Sequence, residues 1–76
     1  MQPDTFEAVW DLLVAIVTDE ARADDAALFA VDAEAIGDVA GAHSLRRVTR
    51  AWRVAAMEKR GQLGALLAPR SGAIDG

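Results

Sequence analysis

Cysteine and tyrosine are absent from the 76 residues, and histidine occurs once. Without cysteine there are no disulfide staples, no thiolate nucleophile and no zinc site of the cysteine type. The lone His43 among dispersed carboxylates gives no converging ligand set, so no metal is expected and no cofactor with it. Long apolar runs are lacking too. None exceeds the six residues of Leu12 to Val17, against the roughly 20 that span a bilayer. Residues 2–11 carry Asp4, Glu7 and Asp11 where a secretory leader carries Lys or Arg, so the expected compartment is the cytoplasm, with no membrane partner.

Large side chains are also scarce. Of the 40 residues counted as hydrophobic, 17 are alanine, which supplies helix propensity and little volume. A chain this short encloses one core at most, and a core this thin predicts a partner, most simply a second copy.

What is present reads as helix. The fold expected is all-α, a small three-helix bundle with helices over about 5–22, 25–40 and 44–60, completed by dimerisation or by a partner; residues 1–68 form the domain and 69–76 a flexible tail. Asp4 reads as the N-cap of the first helix, with Glu7 three residues on in a capping box. Phe6, Val9, Trp10, Leu13, Ile16 and Val17 recur at helical spacing, and Leu12, Val14 and Ala15 widen the stripe until the middle is apolar nearly all round. A strand over 12–17 is the rival reading, but it has no hairpin neighbour to pair with.

Asp24 and Asp25 read as the cap of the second helix, in which Leu28, Val31, Ala35 and Val39 share a stripe. Asp32 and Gly37 interrupt it, so a single helix and a pair broken near 32 or 37 both fit. Gly41-Ala42-His43 reads as a turn, Ser44 as the cap of the third helix, and Gly61 as its C′ residue. Leu45, Val48, Trp52, Ala55 and Ala56 face one way from that helix. Arg46, Arg47, Arg50, Arg53 and Arg60 project from the opposite arc. A short further turn over 62–68 ends at Pro69.

Charge separates along the chain: residues 1–40 carry ten acidic groups and one basic, residues 41–76 seven basic and two acidic. The acidic helices therefore lie beside the arginine face, within the chain or between copies, or that face meets an acidic partner. Exposed pairs of this kind are worth about 0–1 kcal/mol each, so they orient more than they stabilise.

Asp38-Val39-Ala40 followed by Ser44-Leu45-Arg46-Arg47-Val48-Thr49-Arg50 resembles pieces of the LacI-type headpiece, which implies a DNA-reading helix. The spacing departs from that family: Ala40 precedes Ser44 by four residues instead of six. An acidic protein is also repelled by phosphate. Gly41-Ala42-His43-Ser44-Leu45 resembles the Gly-x-Asp-Ser-Leu site of acyl and peptidyl carrier proteins, which implies a phosphopantetheine arm on Ser44; here His43 stands in place of the Asp. Gly61 to Gly64 has the spacing of a KH-domain loop without its βααβ frame.

His43 and Ser44 are neighbours in sequence, which does not set a hydroxyl on an imidazole nitrogen, and no pocket is implied, so neither catalysis nor a small-molecule substrate is expected. The function expected is a helical protein–protein interaction or assembly module, a homo-oligomer or accessory subunit. Arg46, Arg47, Arg50, Arg53, Arg60 and Trp52 are its candidate partner-binding residues, and Trp10, Leu13, Ile16 and Val17 its candidate oligomer interface. A DNA-binding regulator and a carrier protein are the alternatives.

Overall fold

The computed structural model describes residues 3–68, and the expected tail over 69–76 lies outside them. Two helices account for nearly all of the described chain: α1, Pro3–Ala35, and α2, Val39–Leu67. The all-α expectation holds. The three-helix bundle does not, because the first and second expected helices are one, and the third begins earlier and ends later than its local signals suggest.

Seven-residue spacing explains the continuity. Val9, Ile16, Ala23 and Ala30 form one row of α1 and Leu12, Asp19, Ala26 and Ala33 a second, alternating by three and four residues. On α2 the rows are Ala42, Thr49, Ala56, Leu63 and Leu45, Trp52, Lys59. This is the pattern of a two-stranded coiled coil, here antiparallel because a short turn joins the strands. Every residue of these rows is buried or half-buried. Asp24, Asp25 and Asp32 fall between the rows and are exposed, so they ride the surface of α1 and interrupt nothing. No glycine or proline stands between Asp4 and Ile36 to break the helix. Asp4 lies in the first turn, inside the helix, where its charge complements the dipole.

The chain reverses at Gly37, the later of the two expected break points. Gly37 has φ +83°, the left-handed conformation that a side chain resists. Its N–H donates to the Glu34 carbonyl at 3.0 Å and the Asp38 N–H to the Ala33 carbonyl at 2.8 Å, the two bonds of a Schellman motif. Asp38 then caps α2, its Oδ1 accepting from the Gly41 N–H at 2.9 Å. The expected turn at Gly41-Ala42-His43 and the Ser44 cap are therefore corrected: the cap sits six residues earlier, and Ala42 is buried in the seam.

Gly61 is corrected as well. It lies within α2, which continues because Leu63 returns to the seam two residues on. The helix stops at Ala68, extended at ψ 139° as the residue before a proline tends to be.

The seam is thin. Its buried apolar residues are Ile16 and six alanines, Ala23, Ala26, Ala30, Ala33, Ala42 and Ala56. Thr49 is buried among them with its hydroxyl donating to the Leu45 carbonyl at 2.9 Å. The hairpin is a slab two helices wide and one thick, about 50 Å long along α1 at about 1.5 Å per residue.

Candidate interaction surface

One broad face of the slab gathers most of the residues singled out in the sequence. On α1 it begins with Phe6, Trp10, Leu13 and Val17, and the same alternation of four and three residues carries it through Glu20, Asp24, Ala27 and Val31 to Glu34. On α2 it contains Arg46, Arg50, Arg53, Met57 and Arg60. Two shallow clefts between the helices join these rows: one lined by Glu20, Asp24, Arg53 and Met57 with the seam alanines beneath, the other by Ala27, Val31, Arg46, Arg50 and Arg53.

Charge within the chain satisfies part of the face. Arg46 pairs with Glu34, and Arg60 pairs with Glu20 through both Nη2 and Nε, the latter at 3.0 Å. Both pairs join an acidic residue of α1 to an arginine of α2, so the charge split of the sequence is in part an internal match. These groups are largely exposed, which limits them to about 0–1 kcal/mol apiece. Among the described residues, Arg50 and Arg53 make no ion pair, and neither does Asp24 beside Arg53.

The arginines do not all share this face. Arg47 turns to the outer surface of α2, beside Ser44, Val48 and Ala51. Trp52 is half-buried in the seam with the Arg22 guanidinium 4.7 Å from its ring centroid, so its aromatic face is already engaged.

The expected oligomer interface divides likewise. Ile16 is 4% exposed in the seam, whereas Trp10, Leu13 and Val17 are 59%, 41% and 65% exposed. With Phe6 and Val14 they make a surface apolar nearly end to end over the first five turns of α1, and Trp10, Leu13, Val14, Val17 and Thr18 enclose a shallow groove there. Phe6 was legible as part of this stripe from its spacing. A second apolar group, Leu28, Phe29, Val31, Ile36 and Val39, is exposed toward the turn and was not legible as surface. Sequence reasoning also missed the pair inside the seam, in which Lys59 Nζ donates to Asp19 Oδ2.

His43 and Ser44 are both exposed on α2, successive helical residues about 100° apart around the axis. The turn required by a helix-turn-helix or carrier site at Gly41–Ser44 is occupied by continuous helix. Among the described residues no three metal-ligating side chains converge, and no helix is long and apolar enough to cross a membrane. No protein-family model matches the chain, and no curated protein or solved structure is significantly similar to it.

Proposed function

We propose that the protein is a non-enzymatic helical interaction module that docks through the apolar stripe of α1. The observation carrying this reading is the uncovered row Phe6, Trp10, Leu13 and Val17 on a hairpin whose fully buried apolar residues are alanines apart from Ile16. Two helices meeting through methyl groups bury little, and a chain of this size already struggles to bury enough. Large side chains that fail to meet within the hairpin are the ones able to bury area against something else, and aromatic anchors such as Trp10 dominate interfaces of that kind.

A photoreactive phenylalanine analogue in place of Trp10, in cells that express the chain, tests the reading. One discrete adduct identified by mass spectrometry is expected, with none from the same group at Asp25 on the other side of α1. Equal, diffuse labelling from both positions, or none from either, would overturn it.

A further inference from the structure

The docking reading leaves the partner open, and the inference here rests on that reading. We infer that the partner is a second copy of the chain, stacked face to face with its turn at the same end, so that α1 of each copy lies antiparallel on α2 of the other in a four-helix bundle.

The order of chemistry along the face carries the inference. From the open end toward the turn, α1 presents Phe6, Trp10, Leu13 and Val17, then Asp24, then Val31. From the open end toward the turn, α2 presents Leu67, Gly64 and Met57, then Arg53 and Arg50. Both helices are thus apolar at the open end and charged toward the turn, with opposite free charges: Asp24 on α1, Arg50 and Arg53 on α2. The Arg60 guanidinium, which falls within the apolar stretch, is already held by Glu20.

Two twofold arrangements bring this face against itself. With both turns at one end, the level fixed by the Glu34–Arg46 and Glu20–Arg60 pairs sets Trp10 and Leu13 against Leu67 of the second copy, Val17 against its Gly64, and Asp24 between its Met57 and Arg53. With the turns at opposite ends, the apolar end of each copy lies on the charged end of the other. Sliding that arrangement until the apolar ends meet covers only residues 6–17 of α1 and leaves both arginine pairs uncovered. Like therefore meets like, and charge meets its opposite, only when the turns coincide.

The area suffices. Two packed helices, about 50 and 44 Å long and about 10 Å across, present on the order of 900 Å² in projection, and a stable pair buries about 800 Å² per partner. The opposite face of the slab is a poorer match for itself, because Asp11, Asp25 and Asp32 of α1 lie along it in one row.

Sedimentation equilibrium of the full chain at micromolar concentration, a pulsed spin-label distance and a mixing experiment test this together. The chain has no cysteine, so Ala35→Cys, exposed beside the turn, gives one label per copy. A dimer with labels closer than about 30 Å is expected; turns at opposite ends would set them on the order of 45 Å apart or more. Asp24→Arg and Arg53→Asp are both exposed changes, and circular dichroism verifies that each variant keeps its helix. Each alone should weaken the dimer about tenfold, and an equimolar mixture should restore most of it, because both 24–53 contacts between the copies are then opposite in sign. A monomer up to about 100 µM that still gives the Trp10 adduct in cells would overturn self-association while leaving docking intact. A dimer with distant labels, or a mixture no tighter than its components, would overturn the arrangement.

Discussion

Lys59 donates its ammonium to the carboxylate of Asp19 in the middle of the seam, where every other residue of the α1 rows is apolar. The Asp19 side chain is 6% exposed and that of Lys59 31%, so the lysine stem lies along the seam while its head reaches the edge. A buried ion pair recovers little of the cost of its own desolvation, but removing one member strands the other. Lys59→Met should therefore destabilise the hairpin by about 2–3 kcal/mol, whereas Asp19→Leu with Lys59→Leu should fall within about 1 kcal/mol of the parent. Urea unfolding of the three chains decides it: a double variant as unstable as Lys59→Met would show that the pair itself is stabilising.

Gly61 sits on the outer surface of α2 with nothing within 4 Å of the place a Cβ would take. Its backbone is already helical, so alanine there removes only the extra freedom of the unfolded glycine. Gly61→Ala should stabilise by about 0.5–1 kcal/mol, a rise in melting temperature of about 3–8 °C for a domain this small. A lower melting temperature would show that Gly61 marks a point where the helix needs to yield.

Helix content and the apolar face of α1 over residues 6–17 were legible because large side chains recur there at helical spacing. The continuity of α1 was not. Asp24-Asp25 and Ser44 are strong local cap signals, and each lost to a seam running through it. That seam was written in alanines, Ala23, Ala26, Ala30 and Ala33, spaced three, four and three. Read as residues of little volume, they do not announce a core; read as positions, they are the core. The arginine arc was legible in part, since helical spacing groups Arg46, Arg50, Arg53 and Arg60. Which of them meet carboxylates depends on how α2 slides along α1, and that is set by the turn at Gly37.

The turn makes its own prediction. Gly37→Ala places a side chain at φ +83°, which costs about 1–2 kcal/mol, and Asp38→Ala removes the acceptor for the Gly41 N–H, which costs about 1 kcal/mol. Asp38→Ser should recover most of the second loss, because a hydroxyl caps as well. Thermal unfolding at fixed protein concentration separates these. Asp38→Ala and Asp38→Ser melting together would show that the cap contributes nothing.

The alanine seam makes the sharpest demand on side-chain size. Ala30 is 1% exposed, at a level where α2 brings Thr49 to the seam, and the two form part of the floor of the shallow cleft between the helices. In an ordinary coiled coil leucine is the favoured residue at such a row and would stabilise. Here Ala30→Leu must push α2 outward or turn its added atoms into the cleft against Arg46 and Arg50, at a cost of about 1–3 kcal/mol. Separation of the helices would also break the Arg46–Glu34 pair one turn away, whose carboxylate and guanidinium reach across that gap. Ala27→Leu, at the half-buried edge of the same helix, adds the same atoms without entering the seam and should cost under about 0.5 kcal/mol. Denaturant midpoints of the two variants measured side by side provide the check. If Ala30→Leu proved as stable as the parent, the helices would not be held at the close approach that alanine permits.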